Sequence, residues 1–241
     1  MRAVILAGGK GTRLAPYSAV VPKPLMPLGK LPIVELLIRQ LRACEVSRVT
    51  LAVGHLAEQL RNYFKDGQRV GLPIDYSQEH EPLGTAGPLA MIPELREAFL
   101  VMNGDLLTDL DFKTFMAFHE ASDAVVTVGV CERQLAIDFG VVHLGRDDRV
   151  TGYVEKPTQP YVVSMGVYVC EPAVLRHIPV GRRFDLPDLI GALVRAGERV
   201  VAYRHHGYWL DIGRPDDYQR AQAEFPAMRS RLLRTGQVLV P

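Results

Sequence analysis

The chain has 241 residues, 48% apolar and 23% charged, ordinary values for a globular protein with a substantial core in one or two domains. Twenty-eight Lys and Arg against 27 Asp and Glu leave no basic excess of the kind that drives nonspecific nucleic-acid or membrane-surface binding. There is no apolar run long enough for a membrane span or a signal-peptide core. Cys44, Cys131 and Cys170 lie far apart without a C-x-x-C pair, which argues against a disulfide framework or zinc ribbon. The expectation is a soluble cytoplasmic protein with no nucleic-acid or membrane partner.

In chain order, residues 3–7 form a short apolar run that fits a buried strand, followed by the loop Gly8-Gly9-Lys10-Gly11-Thr12. Residues 16–32 carry Pro16, Pro22, Pro24, Pro27 and Pro32, which excludes helix interior and predicts an ordered extended segment. Pro32 can open a helix whose apolar face is Ile33, Leu36, Leu37 and Leu41. A strand is expected at 48–53, a helix with Leu56, Leu60 and Phe64 on one face, a strand near 74–77 and another at 99–102 that ends in Asn103-Gly104-Asp105. This alternation predicts βαβ units and a parallel sheet flanked by helices. The middle differs: strands at 124–130, 140–144, 149–154 and 162–169 with little helix between them predict a mixed or antiparallel part. Helices return at 186–195 and 216–224. With no repeat or linker, residues 1–241 are expected as one domain.

A strand, a glycine loop and a following helix bring backbone N–H groups against phosphates. The dinucleotide fingerprint starting at Gly9 needs glycine at position 14, where Leu14 stands, and no Gly-Lys-Ser/Thr triplet completes a P-loop. What stands there is Leu6-Ala7-Gly8-Gly9-Lys10-Gly11-Thr12-Arg13-Leu14, then Pro22-Lys23-Pro24-Leu25. Further on come Pro82-Leu83-Gly84-Thr85-Ala86-Gly87, Asn103-Gly104-Asp105, Glu155-Lys156-Pro157 and Trp209-Leu210-Asp211-Ile212-Gly213.

In these motifs, taken in order, the chain resembles the sugar-1-phosphate nucleotidyltransferases, and its wording in the Pro82 loop resembles the guanylyltransferases acting on mannose 1-phosphate. The resemblance implies a three-layer, Rossmann-like α/β nucleotidyltransferase fold. Its central sheet would be mixed but mostly parallel. Residues 1–110 would bind mainly nucleotide, and 111–225 would form a β-rich half for the sugar phosphate. It implies condensation of a nucleoside triphosphate with a sugar 1-phosphate to give a nucleotide sugar and pyrophosphate, by in-line attack on the α-phosphate. Since the nucleophile is already an anion, positioning and charge neutralisation are enough.

The resemblance assigns Arg13, Lys23 and Lys156 as catalytic cations, the first two on the triphosphate and the third on the attacking phosphate. Nucleotide contacts would come from Leu6, Ala7, Gly8, Gly9, Gly11, Thr12, Arg13, Lys23, Glu79, Pro82, Gly84, Thr85, Gly104 and Asp105. Sugar-phosphate contacts would come from Gly140, Glu155, Lys156, Ser164 and Gly166. Asp105 and Asp211, at two strand ends, would hold one magnesium ion (Mg2+), which takes only one or two protein carboxylates. The chain departs from the family's pattern at Phe139, where a Tyr is frequent, and at Val163-Ser164-Met165-Gly166, where Asn-Ala-Gly is common. These departures bear on the identity of the sugar.

Base recognition is expected in the loop 78–87. Relatives that select thymine or uracil often place a Gln there, whereas this chain offers Glu79 and Glu81. A carboxylate only accepts hydrogen bonds, and guanine presents two adjacent N–H donors, so GTP is the expected donor. The alternative is the same reaction with UTP or dTTP, or with a cyclitol or amino-sugar phosphate. A non-catalytic relative would typically have lost the Arg, Lys or Asp positions, all present here. Few residues follow 224, so no C-terminal β-helix domain is expected. A homodimer is compatible with this reading. His55, His80, His119, His143, His177, His205 and His206 lack the spacing of a metal site and are expected at solvated or edge positions. Ser18 and Ser164 lack the surroundings of a nucleophile.

Overall fold

Residues 1–233 are described by the computed structural model. Strand β1 (Arg2–Ala7) is the hub of the sheet. Its Ala3, Ile5 and Ala7 face one apolar layer and Val4 faces the other, the alternation expected of a strand covered on both sides. After it come the short hairpin strands β2 (Pro27–Leu28) and β3 (Leu31–Pro32), helix α1 (Ile33–Ala43), β4 (Arg48–Val53), α2 (Ala57–Phe64), β5 (Ile74–Gln78), β6 (Phe99–Asn103), β7 (Leu106–Thr108) and α3 (Phe112–Glu120). The second half supplies β8 (Val126–Ala136), β9 (Val141–Leu144), β10 (Val150–Val154), β11 (Thr158–Cys170), α4 (Leu186–Arg195), β12 (Val200–Arg204), β13 (Trp209–Asp211) and α5 (Pro215–Leu233).

Seven strands form the central sheet in the order β12-β8-β11-β6-β1-β4-β5. β1 pairs in parallel with β4 and β6, β4 with β5, and β12 with β8, whereas β11 is antiparallel to both β6 and β8. The expected α/β architecture, a mixed and mostly parallel sheet, is therefore what the chain builds. On one face lie Val34, Leu37, Ile38 and Leu41 of α1, Leu60 and Phe64 of α2, and Phe112 and Phe115 of α3. On the other lie Leu186, Leu189 and Leu193 of α4, with Leu89 and Ile92. Each such side chain, fully buried, contributes about 1.5–3 kcal/mol relative to exposure. A third cluster packs Tyr218, Ala221, Phe225 and Leu232 of α5 against Leu36 of α1, Leu107 of β7, and Leu210 and Ile212. No helix among the described residues is long and apolar enough to cross a membrane.

Several sequence expectations need correction. The proline-rich segment is not extended: it winds through 3-10 turns at Thr12–Leu14, Tyr17–Ala19 and Lys23–Leu25 before the β2–β3 hairpin. Proline's fixed φ suits such turns, and Pro24 sits inside one closed by the Met26 amide donating to the Lys23 carbonyl (3.0 Å). Helix α3, which the sequence reading passes over, is capped by Asp111, whose Oδ1 accepts from the Thr114 amide (3.2 Å). Helix α5 runs nine residues beyond the expected 224 because Pro226 lies on its exposed side while Phe225 and Leu232 are buried. One histidine, His119, is neither solvated nor at an edge, and His205, just past the edge strand β12, is half-buried. His119 is 2% exposed, with its ring nitrogens against Thr127 Oγ1 (2.8 Å) and Glu171 Oε1 (3.2 Å), and His205 lies against Asp109 Oδ1 (3.0 Å). Any domain following 224 would begin beyond Leu233, outside the described residues.

Candidate active site

Three parallel strands, β1, β4 and β6, end at one edge of the sheet, and the loops beyond them enclose a cleft of about 1040 Å³. Ligand sites of open α/β sheets lie at this carboxyl edge. The glycine loop leaves β1, and Gly11 takes the left-handed conformation (φ 61°) that lets the chain turn straight into Thr12–Leu14. Ser18, which is buried, donates to the Gly11 carbonyl (2.6 Å) and so fixes the turn. Leu6 through Arg13 line the cleft, together with Lys23, Glu79, Pro82, Gly84, Thr85 and Asp105. Of the expected nucleotide contacts only Gly104 does not line it. Its amide donates to the Leu6 carbonyl (2.9 Å), so it sets the turn that aims Asp105.

Lys23 is 8% exposed, and its ammonium forms an ion pair with Asp105 Oδ2. Asp105 Oδ1 is buried and has no hydrogen-bond partner. An uncompensated carboxylate oxygen is costly, so this atom is prepared for a ligand. Strand β13 pairs with β7 so that Asp211 stands opposite Leu106, and the Ile212 amide donates to the Asp105 carbonyl (3.1 Å). Burial, and then the neighbouring Asp105 carboxylate, push the Asp211 carboxyl above its ordinary value, while Lys23 and Arg13 pull it back. Two carboxylates and two cations thus converge from four separate segments. No group of three or more His, Cys, Asp or Glu able to hold a metal exists among the described residues, so the donor set here is this pair. An Asp105 oxygen without a partner, near an Asp211 carboxyl whose charge burial and Asp105 disfavour, fits a hard divalent cation that takes its remaining ligands from phosphate and water.

Glu79 is not a solvated loop residue. Its Oε2 accepts from the Leu83 amide (2.9 Å), and its Oε1 lies so close to Gly54 that a Cβ there would stand 2.9 Å away. Gly8 is crowded by the same oxygen. The carboxylate is therefore held over the start of the glycine loop.

The sugar-phosphate candidates sit elsewhere, and none of them lines the cleft. Gly140 precedes β9 and Glu155-Lys156 follow β10, so the pairing of Val154 with Val141 brings them together. Tyr153 Oη donates to Glu155 Oε2 (3.0 Å) directly over Gly140, where any side chain would collide. Lys156 is exposed and adopts a left-handed conformation (φ 44°). Ser164 and Gly166 occupy a break in the β8–β11 register between Ser164 and Tyr168. There the Gly166 amide donates to Ser164 Oγ (3.2 Å), and a Cβ on Gly166 would stand 2.6 Å from Asn103 Nδ2, a cleft residue. The Trp209 indole donates to the Met165 carbonyl (2.9 Å), tying this bulge to the strand that carries Asp211.

Sequence reading missed His55, Asn103, Arg183 and Asp185 as cleft residues. The first two sit just beyond β4 and at the end of β6, where the strand-end rule could have found them. The last two come from the second half of the chain, about a hundred residues after the loop they touch, and no local signal marks them. A buried ion pair with an orphan oxygen beside a glycine loop, at the carboxyl edge of a doubly covered sheet, is the arrangement expected of a protein that handles nucleotide phosphates.

The sequence comparisons place it more closely. The Nucleotidyl transferase family matches residues 2–227, and the chain belongs to that family. It is similar to a UTP–glucose-1-phosphate uridylyltransferase of Synechocystis sp., with 36% identity over 92% of this chain and 62% of the relative. It is also similar to a mannose-1-phosphate guanylyltransferase of Mycobacterium tuberculosis, with 33% identity over 99% of this chain and 71% of the relative. The chain thus spans less than two thirds of the length of the first and somewhat more of the second. Among solved structures, HddC from Yersinia pseudotuberculosis complexed with GMP-PN superposes with a TM-score of 0.71 at 27% identity, covering 93% of this chain and 99% of that one.

Proposed function

We propose that the chain is a cytoplasmic sugar-1-phosphate nucleotidyltransferase that condenses GTP with a mannose- or heptose-like sugar 1-phosphate, releasing pyrophosphate. The observation that carries the reading is the convergence of Arg13, Lys23, Asp105 and Asp211, with one Asp105 oxygen left without a partner. The glycine loop supplies backbone N–H groups to the triphosphate, and Arg13 and Lys23 neutralise charge on its oxygens as the pyrophosphate departs. Asp105 and Asp211 would hold a magnesium ion, whose chemistry there is to offset negative charge shared between phosphates. Lys156, beside Glu155 on the β9–β10 ribbon, holds the attacking sugar phosphate, while Gly140 and Glu155 take the sugar ring.

Support for GTP comes from Glu79, a carboxylate fixed to the loop expected to read the base, and from relatives named as guanylyltransferases or solved with GMP-PN. The test is a pyrophosphate-release screen of the common triphosphates plus dTTP against a panel of sugar 1-phosphates. GTP should be preferred. Glu79→Gln should cut its advantage over UTP about ten- to hundred-fold, the worth of a hydrogen bond to a charged group. The same reaction with UTP is the second reading, favoured by the 36% identity to a uridylyltransferase. A clear wild-type preference for UTP or dTTP would select it. A homodimer forms part of this proposal, with sedimentation velocity as its check.

A further inference from the structure

The segment entering α4 is fastened to the loop proposed to read the base. The Phe184 amide donates to the Leu83 carbonyl (2.8 Å), and the Phe184 carbonyl accepts from the amides of Ala86 (2.9 Å) and Gly87 (3.0 Å). Asp185 Oδ1 accepts from the Thr85 amide (2.9 Å), and the Leu186 amide donates to Thr85 Oγ1 (2.7 Å). The contact is so close that a Cβ on Gly84 would stand 2.6 Å from Asp185 Oδ1 and 2.7 Å from the Phe184 carbonyl.

This clamp explains Phe184 and Asp185 but leaves Arg183 without a structural task. Arg183 lines the cleft beside Glu79, Glu81, Pro82 and Thr85. Its side chain is 73% exposed, and its ion pair with Asp185 Oδ2 is long, at 3.5 Å. Its neighbour Phe184 is pinned by backbone hydrogen bonds, while the Arg183 guanidinium is exposed and held only by the long contact with Asp185. The triphosphate cations, Arg13 and Lys23, come from the glycine loop and the turn after it, beside Asp105. Arg183 belongs instead to the wall formed by the base loop.

A guanidinium carries donors only, in a planar fork. Guanine answers it with two adjacent acceptors, O6 and N7, the commonest arginine–base pairing. Adenine sets an amino donor against the same fork, and a pyrimidine offers a single carbonyl. Resting on the reading of GTP as donor, we propose that Arg183 reads the O6/N7 edge of guanine while Glu79 takes the N–H donors of the same base. Base selection is then shared by a carboxylate and a guanidinium from opposite halves of the chain.

The experiment measures kcat/KM for GTP, 7-deaza-GTP, ITP and UTP in the wild type, Arg183→Ala and Arg183→Lys, using the sugar 1-phosphate that the wild type turns over best. In the wild type, 7-deaza-GTP, which lacks N7, should be poorer than GTP. Arg183→Ala should lower GTP and ITP together, about 5- to 150-fold, because both keep O6 and N7. It should treat GTP and 7-deaza-GTP alike and leave UTP nearly unchanged. Arg183→Lys should fall between, since an ammonium cannot pair with both acceptors in one plane. Unchanged GTP kinetics in Arg183→Ala would overturn the assignment, as would an equal loss with every triphosphate, which would mark a phosphate contact. A wild type that prefers UTP or dTTP would instead defeat the guanine reading itself. UTP turnover and the melting curve of each variant report whether it folds.

Discussion

Lys23 and Lys156 bring the same charge to the candidate site from very different surroundings. Lys23 is 8% exposed, paired with Asp105, and held in a 3-10 turn packed under the sheet edge. Lys156 is exposed on a two-stranded ribbon whose neighbours Phe139 and Tyr153 are 76% and 63% exposed. The proposed nucleotide end is therefore organised before a ligand arrives. The proposed sugar end would have to be ordered by its ligand, which costs about 1.5–2 kcal/mol for a long side chain. The difference teaches that loss of function should travel with loss of stability at one end and be separable from it at the other.

The largest losses of turnover are expected for Lys156→Ala and for Arg13→Ala, the latter an exposed exception at the proposed nucleotide end. Both residues are exposed, so melting temperatures should hardly move, within about 0.5 kcal/mol of stability. Turnover should fall about 10²- to 10³-fold or more in each, as expected when charge at the reacting centre is removed. Near-normal turnover in either would break its assignment.

Next come the two carboxylates. Asp105→Asn leaves the buried Lys23 ammonium without its counter-charge and should cost about 3 kcal/mol, read by denaturant melts. Asp211→Asn removes a charge that burial and Asp105 already disfavour, so it should leave stability equal or higher. Both should blunt the restoration of turnover by magnesium after chelation, and full turnover in excess chelator would refute the metal proposal.

A smaller effect separates two glycines. Gly84→Ala sets a Cβ against fixed backbone at a φ of 79°, and should cost about 1–3 kcal/mol. Gly140→Ala meets the end of the exposed Tyr153 side chain, which can swing away, so the fold should survive with a loss below about 1 kcal/mol. Its signature should be a raised KM for the sugar phosphate with the KM for the nucleotide unchanged. An equal rise in both would show that the ribbon and the cleft are one unit.

Much of this was legible in the sequence because its signals are local. The runs that became β1, β4 and β6, the periodic face of α1 and the bounds of α4 all follow from apolar spacing within a few residues. Helix α3 was hidden because Phe112, Thr114, Phe115, Phe118 and His119 are indifferent helix formers, and it is packing against the sheet that holds them helical. Motif wording pointed to the glycine loop, Lys23, Asp105 and Asp211, yet not to the Lys23–Asp105 pairing, which depends on the proline segment winding back beneath the sheet. Nor could spacing have brought Phe184 and Asp185 to the Gly84 loop, since that contact is made by tertiary hydrogen bonds between distant parts of the chain.

The pairing of β13 with β7 also has a consequence for the order in which the protein can be made. Asp105 leaves the ribosome early, but its partner carboxylate arrives on one of the last strands. That strand is covered by α5, whose Leu232 carbonyl accepts from the Gln40 side-chain amide of α1 (2.5 Å) and whose Arg231 pairs with Asp109. A nascent chain stopped between the end of β12 and Asp211 carries all seven strands of the central sheet and still lacks the acidic pair. Ribosome-arrested chains released just short of residue 211 should thus be folded around β1 yet unable to bind a divalent ion.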